Sequence, residues 1–177
     1  MKTLSILASL VLCLACLSCN ESPKIRKQSA TPEAAVPEFL RSNGSLIEIP
    51  DFEIEVAHSA ASIEKLNDQG ESVIVSANFS GEPSNPKAGD EIGELQLAKK
   101  DIELAPSERI ARFSGLSFPK AYYDKLADKD FMLLINIVSG RKSSEDNLLN
   151  CGIVQLNVSK IGGQRFKVDC ALIEESF

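Results

Sequence analysis

The chain has 177 residues, 25 acidic and 19 basic side chains, a formal net charge of −6, eight Phe and no Trp. That length holds one ordinary domain plus an extension. The acidic balance argues against binding a phosphate backbone and against electrostatic attachment to anionic lipid, so no nucleic-acid partner is expected.

The first residues are Met1-Lys2-Thr3, followed by an apolar stretch from Leu4 to Leu17 broken only by Ser5 and Ser9. A basic residue ahead of a short hydrophobic segment is the layout of a secretory signal. The stretch is shorter than the roughly 20 apolar residues of a spanning helix, and it leads straight into polar Asn20-Glu21-Ser22-Pro23. A retained transmembrane anchor is the weaker reading. The segment ends in Cys16-Leu17-Ser18-Cys19, which resembles the bacterial lipobox, where a small residue precedes a cysteine that is diacylated on its thiol before cleavage. The resemblance extends over the signal alone. It implies a signal peptide over residues 1–18 and a bacterial envelope lipoprotein attached to the membrane through acyl chains on Cys19. Cys16 stands where the motif usually has Leu, which leaves Ala15-Cys16 as an alternative cleavage point. Each methylene placed in the bilayer contributes about 0.8 kcal/mol, so several chains on one terminus anchor stably. Asn20 occupies the position where Asp retains enterobacterial lipoproteins at the inner membrane. Its presence implies an outer-membrane address, with the periplasmic or surface face left open. Losing Lys2 with the signal takes the net charge from −6 to −7.

Residues 19–44 contain Pro23, Pro32 and Pro37, few large apolar side chains and no sustained period. They read as a flexible spacer that holds a domain of residues 45–177 off the membrane.

Within that domain the dominant pattern has period 2, which puts alternate side chains on one face of a strand. Phe52, Ile54 and Val56 alternate with Glu53 and Glu55, and Val73, Val75, Ala77 and Phe79 alternate with Ile74, Ser76 and Asn78. Leu95 and Leu97, then Ile102 and Leu104, predict two short neighbouring strands separated by Ala98-Lys99-Lys100. Another strand is predicted over Ile110 to Phe113. Phe131 to Val138 is apolar almost throughout, as expected of a central strand covered on both faces, or nearly so. The last two strands, Gly152 to Val158 and Gln164 to Leu172, are predicted to form a hairpin, because Gly162-Gly163 between them supplies the positive φ a tight turn needs. Ser59 can cap a short helix running to Leu66. Ser117-Phe118-Pro119 leads into a second over Lys120 to Leu126, where proline suits a first helical turn. About eight short strands with one or two short helices predict a mainly β fold, an antiparallel β-sandwich with the layering of immunoglobulin-like or transthyretin-like domains.

Cys151 and Cys170 remain once Cys13 and Cys16 fall in the signal and Cys19 is assigned to acylation. They flank the expected hairpin symmetrically, and opposed residues of antiparallel strands approach within disulfide distance. In an oxidising compartment a bridge is expected, stabilising by roughly 3 kcal/mol in the chain-entropy treatment. Two cysteines without nearby His make a poor zinc site, so neither a metal nor a cofactor is expected.

Catalytic parts are few. His58 is the single histidine, and no Gly-x-Ser-x-Gly elbow accompanies it, so an edge or capping role is expected rather than that of a base. Acidic groups at Asp90, Glu91 and Glu94, at Asp128 and Asp130, and at Glu145 and Asp146 fit neither an EF-hand spacing nor a glycosidase cleft. They read as turn residues. Sugar-binding platforms are lacking, since the only tyrosines are the adjacent Tyr122 and Tyr123, one of which should face the core. Ser80-Gly81, Ser114-Gly115 and Ser139-Gly140 each close a predicted strand, as turn chemistry requires. If the strands before residues 82–90 and 141–150 run parallel, both polar loops share one end as a recognition rim. Arg141, Lys142, Glu145, Asp146 and Asn147 are its candidate residues. The expected function is a tethered, non-enzymatic domain that binds another envelope protein or serves as an accessory subunit. The alternatives are a small periplasmic enzyme or an enzyme inhibitor.

Overall fold

The computed structural model describes residues 36–175. The signal, Cys13, Cys16, the candidate acylation site Cys19 and the first part of the spacer lie outside the described residues. Residues ahead of the boundary expected at residue 45 already take part in the fold: Leu40 is buried, and Arg41–Asn43 (β1) pairs with Leu46–Glu48 (β2).

Phe52–His58 (β3) leads through Ala60–Asp68 (α1) into Val73–Gly81 (β4), and then Leu95–Leu104 (β5), Ile110–Phe113 (β6) and Ser117–Pro119 (β7) follow. Lys120–Tyr123 (α2), Met132–Ser139 (β8), Leu149–Cys151 (β9), Val154–Asn157 (β10) and Arg165–Leu172 (β11) complete the chain. One four-stranded sheet has the order β10-β8-β4-β5 and a second the order β6-β3-β11-β9, while β1, β2 and β7 form a small third sheet. The fold is β-sandwich-like. Alternation drives it: Phe52, Ile54 and Val56 of β3 and Val73, Val75, Ala77 and Phe79 of β4 are all buried. The inner faces meet where Phe52 packs edge-on against Phe79, their ring centroids 6.2 Å apart. Phe131 extends this aromatic line to Phe118 and Tyr123, and aromatic side chains bury the largest apolar areas per residue.

The helices form where expected. The Ser59 hydroxyl accepts a hydrogen bond from the Ser62 N–H at 3.0 Å, satisfying a backbone donor left free in the first turn of α1. The second helix, α2, is only one turn long, and Pro119 caps it from the end of β7 rather than sitting inside it. Tyr123 is buried against the core and Tyr122 is exposed.

Four expectations need correction. Leu95 to Leu104 is a single strand, with its irregularity opposite Phe79 and Ser80. An extra residue in one strand of a pair, the β-bulge, offsets the alternation, and this made one strand read as two. β8 is central in its ladder but is covered on one face only, with Leu134 and Asn136 open to solvent. The C-terminal hairpin does not form, since β10 pairs with β8 and β11 pairs with β3 and β9. Crossing to the other sheet lets Val158 and Ile161 reach full burial, which a simple hairpin turn would expose. Finally, β3 and β11 run parallel, the one parallel pair among the described strands of an otherwise antiparallel sandwich.

The disulfide between Cys151 and Cys170 is present, with Cα atoms 4.1 Å apart. These residues are directly opposed in the short β9·β11 ladder. The register expected of the hairpin therefore holds for three residue pairs, and then the chain leaves at Gly152.

Candidate functional site

The starts of β3 and β11, the end of β6 and the small third sheet meet at one end of the sandwich. Two adjoining clefts open there. One, of about 580 Å³, is lined by Asp51 to Glu53, Arg112 to Ser114 and Gly163 to Arg165. The other, of about 470 Å³, is lined by Glu38, Phe39, Arg41, Glu48 to Asp51, Gly115 to Ser117 and Gly163. Asp51 and Gly163 belong to both. The Asp51 carbonyl accepts from the Gly163 N–H at 2.8 Å, and its carboxylate accepts from the Gly115 N–H at 3.3 Å. Gly115 and Gly163 both sit at positive φ, a conformation glycine adopts without the Cβ clash of other residues. These tight turns shape the groove floor.

Glu53 stands at the centre of a charged row across three strands. Arg112 lies opposite it on β6 and Arg165 on β11. Arg165 Nε and Nη2 donate to Glu53 Oε2 at 2.8 and 2.6 Å, and Arg112 Nε lies 2.9 Å from Oε1. The hydrogen bond from Arg165 leads in holding the Glu53 carboxyl below its ordinary range; desolvation opposes it more strongly than either guanidinium charge assists, but the two charges and the Arg112 hydrogen bond together keep the shift downward. Each guanidinium carries five N–H donors, so several on both arginines still face solvent. The groove thus presents the donors of Arg112 and Arg165 at one end and, beside Arg41, the carboxylates of Glu38, Glu48 and Asp51 at the other.

The rim expected from two loops is not assembled. Strands β4 and β8 are antiparallel, with Val73 opposite Ser139, so the segments after them leave from opposite ends of the sandwich. Residues 141–147 lie at the end away from the groove. There Arg141 has positive φ, Lys142 Nζ is ion-paired with Glu103, and Asn147 Oδ1 accepts from the Ser139 N–H at 2.9 Å. Glu145 and Asp146 lie in the intervening turn, where the Asp146 N–H donates to Ser144 Oγ at 3.2 Å.

The residue that organises this turn was not legible in the sequence. Glu71 is 3% exposed and accepts from the N–H groups of Ser72, Lys142 and Ser143 and from the Ser143 hydroxyl. Burial by itself raises its pKa, but these hydrogen bonds to the charged form outweigh it and bring it down to about 2. Nothing in Gln69-Gly70-Glu71-Ser72 distinguishes this carboxylate from a solvated one.

His58 ends β3, with Nδ1 3.4 Å from Ser62 Oγ. Burial, and then the charge of Arg109, lowers its pKa, which favours the neutral ring. Ser59 is engaged by Glu175 at 2.7 Å, so the two neighbours have separate partners and do not form a Ser-His-acid relay. Of the acidic groups, Asp90 accepts from the Ile92 and Glu94 N–H groups within its own turn. Asp130 does more than its sequence suggests: it accepts from the Ser159 N–H and hydroxyl and so ties the start of β8 to the β10–β11 connection. Among the described residues no group of three His, Cys, Asp or Glu is placed to hold a metal ion. No helix among them is long and apolar enough to cross a membrane.

No family model, curated protein or solved structure matches the chain.

Proposed function

We propose that the protein is a bacterial envelope lipoprotein, held at the outer membrane by acyl chains on Cys19, whose sandwich domain binds another envelope protein as an accessory subunit. The observation that carries the binding role is the double cleft around Asp51 and Gly163. It is lined by charges of both signs, and two of its arginines keep donors free. Such a groove suits a polypeptide segment with acidic and basic side chains better than a small neutral molecule, because charge-assisted hydrogen bonds of both signs are on offer along it. The tether has separate support in the sequence around Cys16-Leu17-Ser18-Cys19.

Affinity capture of the detergent-solubilised native protein tests the binding role. Reproducible recovery of one envelope complex, lost when Arg112→Glu and Arg165→Glu are combined, supports it. A monomer with hydrolytic turnover points instead to an enzyme. The tether is tested by metabolic palmitate labelling, which Cys19→Ser should abolish. Enzyme inhibition is the second reading, favoured by the way Glu71 fixes the backbone of the turn at Lys142 and Ser143, since a rigid loop loses little entropy on insertion into a partner.

A further inference from the structure

The outer face of the β10-β8-β4-β5 sheet differs from the rest of the surface. Side chains on this face are fixed by the alternation of each strand and by register: Ile74, Ser76 and Asn78 on β4, Leu134 and Asn136 on β8, and Gln155 on β10. In a chain with 44 charged side chains, none of the outward positions on these three strands is ionisable. Charge appears only along the edge strand β5, where Lys99 pairs with Asp101 and Glu103 with Lys142. An uncharged centre bordered by charge along one edge resembles a protein interface, whose core is depleted of charged residues. Leu134, 39% exposed, lies at its middle.

We propose that this face packs against the same face of a second copy of the chain, related by a twofold axis. Charge is the reason for choosing this occupant. The chain carries a net −6, so most of its surface repels another copy, and a face without ionisable groups lacks that repulsion. Self-contact also requires groups that can pair with themselves. An amide has both donors and an acceptor, whereas a carboxylate only accepts and an ammonium only donates. Among the described residues, the side-chain amides of Asn78 and Asn136, on the two central strands, make no intramolecular hydrogen bond and are free to pair in this way. A twofold axis parallel to the strands places each β5 over the other copy's β10, so the rim carboxylates avoid their own images. Four strands about 4.8 Å apart and about 25 Å long give roughly 500 Å² of flat area per copy, below the roughly 800 Å² per partner of a standard interface. The dimer is therefore a weak one, with a dissociation constant in the micromolar range.

The test is sedimentation of the full chain in mild detergent up to about 100 μM, a concentration that populates a micromolar dimer. Dimer is expected, weakened tenfold or more by Leu134→Asp, since the twofold axis brings two new carboxylates into one interface. Asn136→Asp, at an exposed position, should act the same way and serves if Leu134→Asp fails to fold. A thiol-specific bifunctional linker of about 10 Å, the spacing of stacked sheets, should trap a covalent dimer of Leu134→Cys but not of Lys167→Cys, on the other sheet's outer face. Monomer throughout the range overturns the proposal. So does equal cross-linking of both cysteine variants, or dimerisation unchanged by the added aspartates, including the case in which the face binds only a different protein or a glycan.

Discussion

The two ends of the sandwich treat a carboxylate in opposite ways. At one end Glu71 is buried and held by three backbone N–H groups and a hydroxyl. Close by, the Cys151–Cys170 bridge ties β9 to β11, and Glu175 accepts from Ser59 Oγ and the Leu172 N–H. At the other end Glu53 faces solvent and is held by two long, half-exposed arginine side chains beside two open clefts. Backbone donors are already fixed by the fold, so bonding to them costs little further entropy; arginine side chains must be ordered for each contact. The closed end therefore contributes stability, and the open end keeps groups that a partner can recruit.

That contrast is broken most severely by Glu71→Ala. It leaves buried N–H groups without an acceptor, and a loss of about 3 to 4 kcal/mol in denaturant unfolding is expected. Glu71→Gln should lose somewhat less, since one oxygen still accepts. Removing the bridge with Cys151→Ser and Cys170→Ser together should cost about 3 kcal/mol, read by the same measurement with unchanged far-UV circular dichroism. Acid titration then separates the two ends. Glu71 has its pKa lowered to about 2 in the folded chain, so its contribution is complete above the ordinary carboxyl pKa near 4.5 and disappears as pH falls from there towards 2. In about 1 M salt, where exposed pairs are screened, this fall in Tm should persist in the natural chain and be clearly smaller in Glu71→Gln, where Asp90, Asp130 and Glu175, also held below the ordinary carboxyl range by hydrogen bonds, account for the remainder. An acid-induced fall of Tm in Glu71→Gln equal to that of the natural chain would show that other carboxylates account for it.

Smaller effects belong to the open end. Lys129 Nζ donates to the carbonyls of Tyr123 and Leu126 at 2.8 and 2.9 Å and lies over the Tyr123 ring. Lys129→Ala should lower stability by about 1 to 2 kcal/mol through these lost contacts. Arg165→Ala should give the smallest change of all, a slight fall in Tm at low salt that disappears at high salt. A larger, salt-independent loss would place the Arg112–Glu53–Arg165 row among the structural locks and undo the distinction between the ends.

How much of this was legible in the sequence follows from the range of each interaction. Alternation over Phe52 to Val56 and Val73 to Phe79 sets burial residue by residue, so those strands and the cap at Ser59 read correctly. Strand order does not reside in local pattern. Gly162-Gly163 supplies the positive φ of a turn at Gly163, but whether the flanking strands then pair depends on the open edges of β3 and β8, far away in the chain. The disulfide was foreseen because its two residues are opposed, although the hairpin invoked to oppose them is absent. The groove was missed because Asp51, Gly115 and Gly163 come together only through the fold, and each alone reads as an ordinary turn residue. Glu71 was missed because most of its partners are main-chain N–H groups, two of them some 70 positions on, which carry no side-chain signature.

The parallel pairing of β3 with β11 joins Glu53 to Arg165 across 112 positions. During synthesis, a ribosome that has made β3 must finish nearly the whole polypeptide before the strand beside it exists. Contacts this distant in the chain slow folding, so the β6-β3-β11-β9 sheet is completed only once the C-terminal strand has been made.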